Sequence, residues 1–193
     1  MTHDYAQKLT SRLCHDLANP VGAIHNGFEL LTLTGLKPSP ELDLIQNCID
    51  QMQAKLKLLR LAFGHEKEET RSSVHKLLQI WQTATTLNVH SDRDIVLSPR
   101  QQKHVALALM CLENTVQPGV TVQISGNVKT MVLTGDRLGR NADLRLWDMT
   151  QNPDDIPPNR LHFASLMTAH LSGTVAIAFD HSTGVRLTMT WHT

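Results

Sequence analysis

The sequence predicts an α+β protein with an N-terminal helical hairpin that forms a four-helix bundle by dimerisation, followed by an α/β sandwich. Three observations lead to this fold class. The first third of the chain carries a heptad pattern over two segments that two prolines separate. The rest alternates short β-type runs with helical segments and closes on a hairpin pattern. Aromatic residues make up only 4% of the chain, so the core is expected to be mostly aliphatic.

The first helix is predicted from apolar residues whose spacing alternates between four and three, as a heptad seam requires. These residues are Leu17, Val21, Ile24, Phe28 and Leu31. A break follows at residues 35–40. Within it, Ser39 and Pro40 are of the types that favour the N-cap and the first position of a helix.

The second helix shows the same alternation at Leu42, Ile45, Ile49, Met52, Leu56, Leu59 and Phe63. Gly64 is expected to end it. Two such helices joined by a short break predict an antiparallel hairpin. A single hairpin cannot bury its apolar seam on both sides, whereas two copies can in a four-helix bundle. Residues 1–66 therefore predict a homodimer; the alternative is a hairpin that packs only on the rest of its own chain.

Residues 67–193 are expected to form the α/β sandwich. Helices are predicted at 74–87, 99–117 and 159–171, and Asn159 is expected to cap the last of them. Strands are predicted at 94–98, 120–125, 130–134, 143–148, 174–179 and 185–191. Residues 152–159 contain three prolines and are expected to form a loop. Helices that alternate with mostly antiparallel strands predict helices packed on one face of a sheet.

Composition excludes several classes of partner. Lys and Arg number 18 and Asp and Glu number 18, so neither nucleic acid nor an anionic membrane is expected as the main partner. The chain has no apolar run of about 18 residues and no leader-like start, which predicts a cytoplasmic protein. Cys14, Cys48 and Cys111 each lie in a helical pattern and are expected to be small buried side chains. The 11 histidines form no i, i+4 pair, and no protein metal site is predicted.

A reactive residue is suggested in the segment Leu13-Cys14-His15-Asp16-Leu17-Ala18-Asn19-Pro20. Cys14 continues the heptad seam, so His15 is expected next to the seam on the solvent side. A neutral imidazole has a lone pair for attack, and the carboxylate of Asp16 can hold the N–H of the other ring nitrogen. Pro20 inside a helix removes a hydrogen bond at a cost of about 3 kcal/mol, which suggests a shape requirement here. A surface His beside an Asp also occurs by chance, so these two residues alone define no site.

The stretch LCHDLANPVGAIHNGFELL resembles the H-box of histidine kinase dimerisation domains and, more closely, that of ChpT-type histidine phosphotransferases of bacterial cell-cycle phosphorelays. The resemblance runs over the whole chain, but only this stretch is specific. It implies a dimeric four-helix bundle followed by a domain shaped like a kinase ATP-binding domain. It also implies phosphoryl transfer between receiver-domain aspartates. By this resemblance His15 is the phosphoacceptor, Asp16 is its acid/base partner, and Asn19 and Pro20 complete the box.

The expected partner is a response-regulator receiver domain, which would bring the aspartyl phosphate and its Mg²⁺. No cofactor is expected on this chain, which would supply only His15 and a docking face. On the heptad wheel that face includes Ala18, Asn19, Gly22 and Asn26. Leu58 is expected opposite His15, off the seam, as an apolar docking contact. Lys57 and Arg60 flank it and could meet an acidic receiver surface; the alternative for both is a solvated face.

The same resemblance raises the question of ATP use. A kinase domain would carry two asparagines four residues apart, where this chain has Ala108 and Leu112, which cannot ligate Mg²⁺. Asn114 would serve only in a shifted register. Residues 136–140 keep one glycine of the first glycine-rich box, and residues 156–159 have none for the second. ATP binding is therefore predicted to be lost, and the second domain is predicted to dock the receiver beside the bundle.

The sequence thus predicts a phosphotransferase that relays phosphoryl groups between receivers and is not an ATP-dependent kinase. Three alternatives remain open. These are a non-catalytic dimeric adaptor that binds receivers, an ATP-dependent sensor kinase fragment, and an unrelated helical regulator in which His15 is incidental. The sequence names neither the donor nor the acceptor and gives no direction of phosphate flow.

Overall fold

The computed structural model describes residues 2–35, 37–64 and 70–192; at the start of the first helix it describes side chains from Arg12 onward, except that of His15. The chain divides into two compact units, Met1–His65 with Gln79–Thr85 and Glu66–Leu78 with Thr86–Thr193. The expected domain boundary between residues 66 and 67 lies outside the described residues and stays a prediction.

The first unit is built on two helices that pack against each other, α1 (Thr2–Leu33) and α2 (Pro40–Phe63). The predicted start of α2 is confirmed, because the Ser39 side chain accepts a hydrogen bond from the backbone N–H of Leu42 at 3.4 Å. Pro40 is the first helical residue and Gly64 is the C-cap, as the sequence predicts. Local signals at the two ends therefore define α2.

The heptad seam of this unit is only half buried. Cys14, Val21 and Phe28 on α1 and Ile49 on α2 are between 3% and 9% exposed. The remaining seam positions include six apolar residues that are between 39% and 55% exposed and spaced by seven within each helix, which we call the outer stripe: Leu17, Ile24, Leu31, Ile45, Met52 and Leu59. Packing of α1 on α2 therefore leaves one side of the seam facing water.

The second unit contains a five-stranded mixed sheet. Its helices are α3 (Val74–Ala84, which runs into the first unit), α4 (Pro99–Glu113) and α5 (Leu161–Leu171). Its strands are β1 (Ser72–Ser73), β2 (Asn88–Ser91), β3 (Val96–Leu97), β4 (Thr121–Gly126), β5 (Thr130–Gly135), β6 (Ala176–Asp180) and β7 (Val185–Thr190). The sheet order is β2-β4-β5-β7-β6, with β2 parallel to β4 and the other pairs antiparallel; β1 and β3 pair separately. The α+β class is confirmed.

The prediction of a strand at residues 143–148 is wrong. Leu144–Trp147 forms a 3-10 helix that begins at Asp143, whose carboxylate accepts from the backbone N–H of Arg145 at 3.2 Å. Leu146 and Trp147 are neighbours in sequence and both buried, whereas a strand would send them to opposite faces. Burial of this aromatic side chain has overridden the alternating pattern.

Smaller differences concern element ends. Asn159 does not cap α5, because it lies inside a 3-10 turn (Pro158–Arg160) and Arg160 occupies the cap position without a side-chain cap bond. The predicted strand at 94–98 shrinks to β3, while β1 and β2 were not predicted. Helices α3 and α4 end three and four residues before the predicted positions 87 and 117.

The cysteine prediction is right for two residues and wrong for the third. Cys14 and Cys111 are buried, whereas Cys48 is exposed on α2, and all three thiols are free. No helix within the described residues is long and apolar enough to cross a membrane.

His104 on α4 is a buried polar residue at 4% exposure. Its Nδ1 accepts a hydrogen bond from Trp191 Nε1 at 2.9 Å, and the two rings stack with centroids 6.4 Å apart. Because Nδ1 accepts, the neutral ring carries its proton on Nε2. Burial, and then the charges of Lys103 and Arg100, lower the pKa of His104 from 6.5 to about 4.

This lowered pKa predicts a loss of stability in mild acid. Between pH 6.5 and about 4 the unfolded chain binds a proton at His104 that the folded chain excludes, so the free energy of unfolding falls as the pH drops through this window. Above it the residue adds no pH dependence. His104→Gln keeps an acceptor for Trp191 but has no group that titrates. Its free energy of unfolding should therefore fall by up to about 1.4 kcal/mol less per pH unit than that of the wild type. Urea unfolding at several pH values measures this, and equal acid slopes would contradict it.

Candidate functional site

Position 15 lies on α1 between a buried residue and an exposed one. Cys14 is 3% exposed and points into the hairpin, while Asp16 is exposed. The side chain of His15 lies outside the described residues, so its orientation and its contact with Asp16 stay predictions. Consecutive helix positions differ by about 100° around the axis, so position 15 lies at the border between the packed and the open side of α1.

Asp16 forms an ion pair that sequence reasoning missed. The Nε of Arg12 donates to a carboxylate oxygen of Asp16 at 2.8 Å, and the two side chains are 75% and 47% exposed. The available signal was the spacing of four residues between opposite charges, which makes them neighbours on a helix surface. The carboxylate next to His15 is therefore held by a cation from the preceding turn.

Arg60 on α2 lies near the same turn of α1. Burial raises the pKa of the Cys14 thiol, and the positive charge of Arg60 lowers it by a smaller amount. Such a charge effect requires proximity. Residues 14 to 16 on α1 therefore have a cation close by from each helix of the hairpin.

The predicted docking residues are mostly on the surface. Ala18 and Gly22 are partly exposed, while Asn19, Asn26, Lys57 and Arg60 are exposed. A Cβ added at Gly22 would meet no atom within 4 Å, so packing among the described residues does not require glycine there. The space beside Gly22 is therefore open to an approaching partner.

The prediction that Leu58 is an exposed docking contact is wrong. Leu58 is 2% exposed, and Ala54 and Ala62 on the same helix are buried as well. These three residues form a face of α2 that is buried within the chain. A side chain buried to this extent is not available to a docking partner.

In the second unit, the two positions where a kinase domain would carry its Mg²⁺-binding asparagines hold apolar side chains. Ala108 and Leu112 on α4 are completely buried. Asn114 is the C-cap of α4; its side-chain oxygen accepts from the Arg160 guanidinium and its amide nitrogen donates to Met110 O at 2.9 Å. The amide of Asn114 is therefore already engaged within its own unit.

Gly139, the one glycine that matches the first glycine-rich box of a kinase domain, is also closely packed. A Cβ at Gly139 would meet the carbonyl oxygen of Thr115 at 3.0 Å, and the N–H of Gly139 donates to that oxygen at 2.7 Å. Trp147 is held at the same place, because its Nε1 donates to Thr115 Oγ1 at 3.0 Å and its ring stacks on Phe179 at 4.2 Å. Gly139 and Trp147 are therefore both held against Thr115, just after the end of α4.

A polar cluster at the start of α5 was not anticipated from the sequence. The Nε2 of His162 lies 3.4 Å from the amide nitrogen of Asn114, and the ring tilts against Phe163. Burial, and then the charge of Arg160, lower the pKa of His162 to about 4. No group of three or more His, Cys, Asp or Glu side chains in the part of the chain that the structure describes could hold a metal ion.

The fold resembles that of a solved structure. A solved structure described as a bacterial phosphotransferase at 1.7 Å aligns with 93% of this chain and 92% of its own, with a TM-score of 0.56 and 18% identity. An identity this low shows the fold alone.

Sequence similarity then points to a particular relative. Over 61 residues the chain is 43% identical to protein phosphotransferase ChpT of Brucella abortus (strain 2308). The match covers 32% of this chain and 29% of that protein, so it spans less than a third of the relative's length. Over this stretch the chain is a homologue of ChpT. No family model matches the chain.

Proposed function

We propose that this chain is a dimeric histidine phosphotransferase that relays phosphoryl groups between receiver-domain aspartates of a bacterial two-component phosphorelay. Phosphohistidine at His15 is the intermediate, and ATP is not used. The observation that carries the proposal is the place of His15 on α1, between buried Cys14 and ion-paired Asp16. It is supported by the homology to ChpT over 61 residues and by the fold shared with a bacterial phosphotransferase.

The proposed step is an in-line phosphoryl transfer. One ring nitrogen of neutral His15 attacks the phosphorus of the receiver's aspartyl phosphate; the N–P bond forms and the P–O bond to the aspartyl carboxylate breaks. The carboxylate leaves with the bonding electron pair, and the proton on the other ring nitrogen stays there, held by Asp16. The ring gains one positive charge, the departing carboxylate gains one negative charge and the phosphoryl group keeps its charge, so the total charge is unchanged. Transfer to a second receiver reverses these steps.

The receiver supplies the Mg²⁺ in this proposal, and the chain supplies a docking face around position 15. Asn19 completes the site one turn after His15. Small and polar side chains on α1 let the receiver approach, and cations on α2 meet its acidic surface. Those residues are Ala18, Gly22, Asn26, Lys57 and Arg60, which the structure leaves partly or fully exposed.

The proposal that ATP is not used rests on the residues of the second unit. The two positions where a kinase would place its asparagines hold Ala108 and Leu112, which are completely buried and have no side-chain oxygen that could bind Mg²⁺. Gly139 and Trp147 are tied to the end of α4 through Thr115, so this loop is committed to internal packing. We assign the second unit to receiver docking.

Dimerisation follows from the outer stripe. Its six residues repeat every seven positions on both helices, and the same spacing holds the seam inside the hairpin together. A second copy presents the same stripe about a two-fold axis, which makes the surface self-complementary and closes a four-helix bundle. A cytoplasmic location is part of the proposal, since the proposed partners are receiver domains of intracellular signalling.

The test uses the full chain freed of nucleotide. It is incubated with a panel of radiolabelled receiver domains and, separately, with γ-labelled ATP. We expect label that is acid-labile and base-stable from at least one receiver and none from ATP. Label from ATP would identify a kinase, receiver binding without label would identify an adaptor, and absence of both binding and label would contradict the proposal altogether.

A further inference from the structure

The sheet of the second unit has one buried face and one polar face. Val122, Leu133 and Leu187 are completely buried, whereas their neighbours along each strand are partly or fully exposed. At one end of the polar face lies a cleft of about 370 Å³, which belongs entirely to the second unit. Among the described residues that line it, only Val185 is aliphatic. The cleft has the size of a small-molecule site, and its lining suits a polar ligand.

A row of side chains from four strands crosses this part of the sheet. Gln123 on β4 is opposite Thr134 on β5, and Thr134 is opposite Arg186 on β7. Arg186 is in turn opposite Asp180 on β6. Side chains directly opposite each other on neighbouring strands have Cβ atoms about 5 Å apart. The row therefore brings an amide, a hydroxyl, a guanidinium and a carboxylate into one cleft.

Gly184 lines the cleft beside this row. It directly precedes β7 and has a φ of +124°, which suits glycine. A Cβ added at this position would lie 2.8 Å from the carbonyl oxygen of Gly135, which also lines the cleft. A side chain is therefore excluded here, and backbone forms this part of the wall.

Five polar side chains of the lining have no hydrogen-bond or ion-pair partner among the described residues. They are Thr121, Gln123, Thr134, Thr183 and Arg186. Asp180, which is opposite Arg186, instead accepts from the backbone N–H and the hydroxyl of Ser182 at 2.9 and 3.1 Å. These two hydrogen bonds lower the pKa of Asp180. The guanidinium of Arg186 is therefore available to a ligand.

Asp136 adds a negative charge to the same cleft. It directly follows β5, and its carboxylate lies 3.8 Å from the Nε of its neighbour Arg137. Both side chains are mostly exposed, and an exposed ion pair of this length is weak. The cleft thus combines a cationic group at Arg186 with an anionic group at Asp136.

We propose that this cleft binds a small zwitterion of the amino-acid or dipeptide class, with its carboxylate on Arg186 and its ammonium group on Asp136. A guanidinium binds a carboxylate through two parallel hydrogen bonds. Gln123 and Thr134 donate to and accept from the remaining polar atoms of the ligand. A simple anion such as phosphate would meet the carboxylates of Asp136 and Asp180, so the charges favour a ligand that carries both signs. The inference is independent of the proposed function and gives the second unit a ligand of its own.

The first experiment is calorimetric titration of the full chain with glycine, serine, glutamine and glycylglycine. The N-acetyl and amide derivatives of each probe remove the ammonium group and the carboxylate in turn. At least one zwitterion should bind, and both of its derivatives should bind at least about tenfold more weakly. The inference is overturned if no zwitterion binds below about 10 mM. An N-acetyl derivative that binds as tightly as its parent would also overturn it, because the cleft would then be a plain anion site.

The second experiment places the ligand in the cleft. Arg186→Gln should weaken binding of the zwitterion at least about tenfold. Asp136→Asn should abolish the preference of the chain for the zwitterion over its N-acetyl derivative. Arg93→Gln is the matched control, because Arg93 is exposed in the same unit and does not line the cleft. Equal affinities in Arg186→Gln and Arg93→Gln, with unchanged circular dichroism, would contradict the assignment.

Discussion

His15→Ala is expected to reduce the phosphoryl label accepted from a receiver to background, at least about a thousandfold below wild type. The variant removes the atom that forms the N–P bond, and no rearrangement of the helix can replace it. The fold should survive, because alanine has the highest helix propensity and the buried neighbour Cys14 is retained. Rapid-quench transfer assays and circular dichroism measure the two effects separately.

The matched control for this variant is His25→Ala. His25 lies on the same helix, and its Nε2 lies 3.4 Å from a carboxylate oxygen of Glu29, so it also is a histidine with an acidic neighbour. It should accept label as wild type does. Label that persists in His15→Ala would place the phosphoacceptor elsewhere, and its stability to base would separate another histidine from a carboxylate such as Asp16.

Features with local causes were the ones that the sequence could predict. The ends of α2 follow from Ser39, Pro40 and Gly64, because an N-cap and a C-cap act on the nearest few residues. The β6–β7 hairpin follows from a polar turn that closes on Gly184, whose φ of +124° suits glycine. These signals act without reference to the rest of the fold.

Features with distant causes could not be predicted in the same way. β2 has only four residues, and it is a strand because it pairs in parallel with β4 more than thirty positions along the chain. The 3-10 helix at Leu144–Trp147 replaces a predicted strand because Trp147 packs between Phe163 and Phe179. Each depends on contacts that no local pattern contains.

The misplacement of Leu58 has a particular cause. α2 carries apolar residues on two faces, one at Ala54, Leu58 and Ala62 and one at Ile45, Met52 and Leu59. A heptad count identifies an apolar helix but not which of its apolar faces is buried within the chain and which is left exposed. The structure separates them, since the first set is buried within the chain and the second set is exposed.

Met52→Glu is expected to convert the proposed dimer into a monomer. Met52 lies in the middle of the outer stripe on α2 and is 46% exposed in the single chain. Closing the bundle would bury both copies, so the variant brings two unpaired carboxylates out of water at a cost of several kcal/mol. The dissociation constant should rise at least about a thousandfold, at about 1.4 kcal/mol for each factor of ten.

The control is the neighbouring Gln51→Glu. Gln51 is also exposed on α2 but lies off the stripe, and the substitution adds the same charge one position away. Sedimentation equilibrium over a range of concentrations should find Gln51→Glu dimeric and Met52→Glu monomeric. Both variants should keep their helices, because neither residue belongs to the face of α2 buried against the rest of the chain.

The two outcomes of this pair separate the proposed bundle from the alternative of a hairpin that acts alone. A folded Met52→Glu chain that remains dimeric would place the interface elsewhere and leave the outer stripe without the assigned partner. If both variants dissociate, the cause of dissociation would be the added negative charge and not the loss of burial of the outer stripe. Dissociation of Met52→Glu alone would follow only if the stripe is buried between copies, because the two variants differ in position and not in charge.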